Sequence, residues 1–266
     1  MFKSFTNIGV QFLRGQYCLT AAGAGTGKSI LWLSIALKSK VPTLYLSADS
    51  DAFTQYSRSL SVLSGMELSK SMELARSEGL SDAEKDLAGI PIRFGFDASP
   101  SLDAVETQVE AYEEVYGEYP ALIIVDNITN IRAGGENDSD PFSGLEGLND
   151  YLHDMARNTG ALVAGLHHVT GPYNDADKPI PLSGVKGQIS RVPELILTGF
   201  RPTDQTVGWS VVKNRGGKAD PSGNLYAELE FEGSRMQIRD PRATTQFVNE
   251  VPENFDERMI YEQSFG

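Results

Sequence analysis

Apolar runs alternate along this chain with segments whose apolar residues recur every three to four positions. The runs are QYCLTAA (16–22), VPTLYLSAD (41–49), IPIRFGF (90–96), ALIIVDN (121–127) and ALVAGLHHV (161–169). Between them lie SILWLSIALKSK (29–40), a helical region over about 51–89, SLDAVETQVEAYEEVYGE (101–118) and FSGLEGLNDYLHDMARNTG (142–160). Continuous apolar runs predict strands buried on both faces, and the 3.6-residue period predicts amphipathic helices. Their alternation predicts an α/β fold: a mostly parallel twisted β-sheet flanked by helices, with chemistry at the carboxyl ends of the strands. PELILTGF (193–200) and GWSVVKNR (208–215) extend the set, and LYAELEFEGSRMQIR (225–239) reads as a C-terminal β-hairpin. In the helix over 101–118, Leu102, Val105, Val109, Tyr112 and Tyr116 form the inner stripe, while Glu106, Glu110, Glu113 and Glu114 face water. Ser99 and Pro100 mark its expected start.

Composition changes little in this picture; charge changes more. The 266 residues suit one large α/β domain, expected over 1–243, with an acidic tail over 244–266. That tail keeps Phe247, Phe255, Ile260, Tyr261 and Phe265, aromatic and aliphatic content suited to docking on this or a neighbouring subunit. No run of about 18 apolar residues is present, so no membrane span is expected. The N-terminal stretch MFKSFTNIGVQF lacks the apolar core of a signal peptide. The single cysteine, Cys18, excludes an internal disulfide, fits a reducing cytoplasm and lies in an apolar strand as a small buried hydrophobe. A formal charge of −13 repels phosphate backbones at long range, so contact with nucleic acid must be local, through a few basic residues.

The chemistry concentrates in AAGAGTGKSI (21–30). Glycines let the backbone curl so that successive N–H groups point inward, and the following helix adds its unpaired N-terminal donors. Gly23, Ala24, Gly25, Thr26 and Gly27 form the cradle; Lys28 reaches the outer phosphates of a nucleotide, and the Ser29 hydroxyl ligates Mg²⁺. The pattern G-x-x-x-x-G-K-[ST] is met in relaxed form, with Ala22 at its first position. A glycine-rich surface turn has the same composition, but the strand before it and the helix after it argue for phosphate binding. Asp126 closes the apolar run Leu122–Val125 in the form of the second nucleotide motif, whose carboxylate holds Mg²⁺. Asp49 is the expected water-activating carboxylate, and Asp51 the expected helix cap. Of the paired His167 and His168, one faces the sheet edge near the γ-phosphate, and His167 is chosen; adjacent strand residues point to opposite faces, which argues against a metal pair. Lys213 and Arg215 read either as part of a surface turn or as cations reaching a neighbouring subunit's nucleotide.

These residues carry a resemblance. The run from about 14 to 240 resembles the ATPase domain of DnaB-type replicative helicases within the RecA-like superfamily, through AAGAGTGKS, TLYLSADSD, the stretch ending in ALIIVDN, LVAGLHH, LSGVKGQISRVPELIL and VVKNRGGK. The resemblance implies a RecA-like P-loop NTPase fold, ATP and Mg²⁺ as cofactors, and a homo-oligomer, a hexamer in that family. It implies that Asp49 stands where the family carries a catalytic Glu, a carboxylate set back by about 1.5 Å. It puts His167 on the γ-phosphate sensor and Lys213 and Arg215 on the basic pair supplied in trans. The loops at 131–141 and 170–188 fall on the DNA-facing loops of a central channel. Lys178, Lys186, Gln188 and Arg191 are the candidate backbone contacts, with solvated loop charge as the alternative for the two lysines. The family's N-terminal domain and linker helix are expected to be missing: the tail or the first residues replace the linker, or the ring is weak, or another polypeptide supplies the parts.

The leading expectation is an ATP-hydrolysing motor on single-stranded DNA, in a bacterial or phage-infected cytoplasm, with replication or recombination proteins as partners. A RecA-like recombination mediator and a nucleotide-switched scaffold are the competing readings.

Overall fold

The computed structural model describes residues 2–78, 80–132, 141–187 and 189–241. Nine strands among them form one sheet in the order β3-β2-β4-β5-β1-β6-β7-β8-β9. These are β1 (Tyr17–Ala22), β2 (Thr43–Ser47), β3 (Ile92–Gly95), β4 (Leu122–Asp126), β5 (Leu162–His167), β6 (Leu195–Thr203), β7 (Thr206–Asn214), β8 (Tyr226–Glu232) and β9 (Gln237–Arg239). From β3 to β6 the pairings are parallel, and from β6 to β9 antiparallel. The C-terminal part is therefore a four-stranded meander, of which the expected hairpin is the last pair.

The helices are α1 (Lys3–Asn7), α2 (Lys28–Ser39), α3 (Ala52–Ser64), α4 (Leu68–Leu74), α5 (Asp82–Ala88), α6 (Leu102–Tyr116) and α7 (Pro141–Thr159). Two apolar layers hold the sheet. On one face Leu31, Trp32, Leu33 and Leu37 of α2 pack on Cys18, Ile124, Ala164 and Leu197. On the other, Val105 and Val109 of α6 and Leu148, Leu152 and Met155 of α7 pack on Leu19, Ile123 and Val163. The alternation of strand residues between the layers follows from the two-residue period of the pleat. Trp32 is fully buried and donates its indole N–H to Thr20 Oγ1 at 2.9 Å, so its large apolar payload carries no polar penalty.

Some expectations are corrected. The helical region over 51–89 is three helices: Gly65 closes α3 with a left-handed φ of 72°, and a Ser81–Glu84 capping box opens α5. α6 is capped by Ser101, whose hydroxyl accepts from Ala104 N at 3.1 Å, so Ser99 and Pro100 precede the helix. Tyr116 is exposed rather than inside; it lies over Tyr112 and beneath the Arg93 guanidinium. Cys18 is buried, and burial pushes its thiol up to about 12, as suits an inert packing residue. Among the described residues no helix is long and apolar enough to cross a membrane. The tail over 244–266 and residues 133–140 lie outside the described residues.

Candidate nucleotide site and its neighbours

β1 ends at Ala22 and α2 starts at Lys28, so the glycine loop joins the carboxyl end of a central strand to a helix N-terminus. Gly25 and Gly27 take φ of 72° and 111°, which side-chain-bearing residues rarely adopt. Lys28 is buried, and its Nζ donates to the carbonyls of Ala22 at 2.9 Å and Gly23 at 3.0 Å. Burial pulls its ammonium down to about 8, opposed by the charges of Asp126 and Asp49. The curled loop, the buried cation and the helix N-terminus make an anion-binding cradle.

Asp126 ends β4, beside Ser47 of β2. It is buried, and Tyr45 Oη donates to its Oδ2 at 2.6 Å. Burial raises its carboxyl above the usual range, opposed first by the hydrogen bond from Tyr45 and then by the nearby Ser29 hydroxyl. The Ser29 hydroxyl and the Asp126 carboxylate are hard oxygen donors beside a phosphate cradle, a set that fits Mg²⁺, which keeps most of its ligands as water and phosphate. No cluster of three or more His, Cys, Asp or Glu among the described residues offers a cation cage of its own.

Asp49 is exposed just beyond β2, close enough that its charge bears on Lys28, Asp126 and His168. Its loop is braced from behind. Ala48 N donates to the Asp126 carbonyl at 2.7 Å, Gln55 Nε2 to Ser47 Oγ at 2.9 Å and Arg58 Nη1 to Ser50 Oγ at 2.9 Å. Asp51 caps α3, accepting from Thr54 N at 2.7 Å.

The two histidines part company as adjacent strand residues must. His167 is fully buried, and its Nε2–H donates to the Lys186 carbonyl at 3.0 Å. Burial drives it down to about 4, so the ring is neutral at pH 7; its Nδ1 is buried with no hydrogen-bond partner among the described residues. His168 is half-buried, and its Nε2 accepts from Asn127 Nδ2 at 2.7 Å. His168 thus adjoins the residue after Asp126, while His167 grips the loop that leaves β5.

Arg215 and Lys213 sit elsewhere. Strand register sets Lys213 level with Ile196 and Leu19, and Arg215 N donates to the Glu194 carbonyl beside Tyr17. Arg215 is therefore at the amino edge of the parallel strands, whereas Lys28 is at the carboxyl edge. Five strand steps of about 3.3 Å separate the ends of β1, so the edges lie about 16 Å apart. Lys213 Nζ donates to the carbonyls of Ser190 at 2.7 Å and Arg191 at 2.6 Å, and Arg215 Nη2 to Arg191 at 2.9 Å. Behind them the buried Glu194 carboxylate accepts from Tyr17 N at 3.0 Å. It also lies 3.0 Å from His153, 3.5 Å from Arg157 and 3.7 Å from Arg215.

Lys178, Lys186 and Arg191 are exposed on the segment joining β5 to β6; Gln188 lies outside the described residues. The same segment presses on the phosphate loop, where the Asn174 carbonyl fills the space a Cβ on Gly23 would need.

Sequence reasoning missed several participants. Tyr45, Glu194 and His168 gave no signal of their roles, because their partners are distant in the chain. A cleft of about 670 Å³ opens beside Ala24–Thr26, walled by residues 174–176 and 201–204. At its margin the Arg201 guanidinium stacks 4.0 Å over the Phe231 ring, which in turn lies against Gly27. A flat cation on an aromatic ring is a platform on which a nucleobase could stack.

A central parallel sheet, a glycine loop at its carboxyl edge and a buried strand-end carboxylate are the features of a RecA-like P-loop fold. Residues 8–171 match the AAA domain family, and the chain belongs to it. It is 59% identical to the Gene 65 protein of Mycobacterium phage L5 over 237 residues, 87% of this chain and 88% of that protein. A solved ATPase domain superposes with a TM-score of 0.75 at 16% identity, covering 87% of this chain and 86% of that one. A DnaB-like replicative helicase, solved in a study of its interactions with primase, gives 0.75 at 15% identity, covering 87% and 60%. The fold is thus that of the DnaB-type ATPase domain.

Proposed function

We propose that this protein is an ATP-driven, DNA-binding motor of the DnaB-like helicase type, hydrolysing ATP between subunits of a ring of six copies to move along single-stranded DNA. One observation carries the reading. Arg215 stands at the sheet edge opposite its own phosphate loop, tied with Lys213 to the end of the segment that carries Lys178 and Lys186. Cations so placed serve another copy's nucleotide, and the loop that holds them bears exposed positive charge suited to a phosphate backbone.

In this reading residues 23–29 cradle the triphosphate and Lys28 exchanges its carbonyl partners for phosphate oxygens. Ser29 and Asp126 would hold Mg²⁺, which supplies charge neutralisation on the β- and γ-phosphates. Asp49 orients the attacking water, and Lys213 and Arg215 of the adjoining copy stabilise the transition-state charge. The Arg201–Phe231 stack receives the base. His167 passes the state of the site to Lys186 and the DNA-facing segment. The ATPase core spans 1–243, with 244–266 docking on a neighbour, in the cytoplasm of an infected host cell and with replication or recombination proteins as partners.

The test is ATP hydrolysis with and without single-stranded oligonucleotide, alongside DNA binding at low and high salt. Stimulated turnover and salt-sensitive binding are expected. Unstimulated turnover together with no DNA binding at low salt overturns the motor reading. The shorter Asp49 in place of a Glu favours a second reading, a nucleotide-switched scaffold, for which tight ATP binding with negligible turnover is the signature.

A further inference from the structure

We infer that Tyr45 is a positioning residue for the magnesium site, orienting Asp126; the inference rests on the nucleotide-site reading above. Tyr45 is fully buried in β2, its ring packed on Phe94 with centroids 5.4 Å apart. Its hydroxyl donates to Asp126 Oδ2 at 2.6 Å, across 81 residues of sequence. The Ser29 hydroxyl lies close enough to bear on both of these side chains.

Proton accounting gives this triad its meaning. An ionised carboxylate only accepts, and the phenol and the serine each have one proton to give. The phenol spends its proton on Asp126, which holds one carboxylate oxygen and fixes the rotation of the group. The Ser29 hydroxyl beside them keeps its oxygen lone pairs for a cation. Without the phenol, that carboxylate oxygen loses its donor and the group is free to turn. Partners of this kind, one step behind the ligands, commonly set metal affinity within a factor of about 10–100. Tyr45 touches neither phosphate nor water in this role; it acts through Asp126.

The experiment titrates Mg²⁺ against binding of a fluorescent ATP analogue, for the wild type, Tyr45→Phe, Asp126→Asn and the double variant. Tyr45→Phe keeps the ring and its packing. It is expected to raise the half-saturating Mg²⁺ concentration about 10- to 100-fold, with analogue affinity in EDTA unchanged. In the double variant the Tyr45→Phe change is expected to add nothing to Asp126→Asn. An unchanged Mg²⁺ requirement, an equal loss of affinity with and without Mg²⁺, or an additive loss in the double variant overturns the role of Tyr45. A wild type indifferent to Mg²⁺, or an Asp126→Asn protein with wild-type dependence, overturns instead the reading of the site on which it rests.

Discussion

The Asn174 carbonyl sits directly over Gly23: a Cβ on residue 23 would stand 1.8 Å from that oxygen. The first glycine of the phosphate loop is therefore required by a contact with the segment that leaves β5, as well as by any ligand. Gly23→Ala must push the segment away or bend the loop. A loss of about 1–3 kcal/mol in stability is expected, with weaker nucleotide binding. Urea unfolding and titration with a fluorescent nucleotide check both, and wild-type values in each would show that the segment yields without cost.

Lys28 has a sharp pH signature. Burial lowers it to about 8 in the free protein, and the protonated form is the one that binds phosphate. Nucleotide affinity should hold below pH 8 and fall by up to about tenfold per pH unit above it, since binding then requires uptake of a proton. Lys28→Ala should bind weakly at every pH. Isothermal titration across pH 7–9.5 measures the slope, and a flat wild-type profile would contradict the assignment.

His167 makes the fold acid-sensitive. Its folded pKa of about 4 lies below the unfolded 6.5, so the unfolded chain binds the extra proton between them. Its contribution is complete above pH 6.5 and is lost as pH falls towards 4. The expected loss between pH 7 and 5 is up to about 2 kcal/mol. His167→Gln should flatten this part of the profile, as measured by urea midpoints at the two pH values. A wild type equally stable at both would refute the buried neutral ring.

Arg215→Ala should leave ATP binding near normal and cut turnover about 10³-fold, the effect of losing a cation delivered to the transition state. Mixed with Lys28→Ala chains, it should regain part of its activity, because one kind of interface then has an intact pocket and an intact cation. No recovery at any mixing ratio counts against a site shared between copies.

How much of this was legible beforehand depends on distance along the chain. β1, β4 and β5 were readable because strands covered on both faces must be apolar throughout. The phosphate loop was readable because its glycines, Lys28 and Ser29 are neighbours in sequence. α1 was not, being five residues without a side-chain cap. The breaks at Gly65 and Ser81 were written in the sequence but hidden among serines that suit a helix end and a helix face alike. Tyr45 with Asp126, Glu194 with Arg215, and Arg201 with Phe231 meet only through sheet register, which depends on every intervening connection. Which way each of the two histidines faces was not legible, for a subtler reason. Strand alternation says that they face opposite ways, and only the packed structure says that His167 takes the buried side.

The stretch from Lys186 to Arg191, in the segment joining β5 to β6, is fastened at both of its ends. The ring of His167 holds Lys186 near the carboxyl edge, and Lys213 and Arg215 hold Ser190 and Arg191 at the amino edge. Only positions 187–189 separate Lys186 from Ser190 in the sequence. Under the proposed motor reading, a polyanion drawn against Lys186 would bear on His167 of its own chain and on Lys213 and Arg215, the pair which that reading assigns to the next copy's nucleotide. In that reading the order of firing follows where the thread lies, relayed through the main-chain carbonyls of Lys186, Ser190 and Arg191.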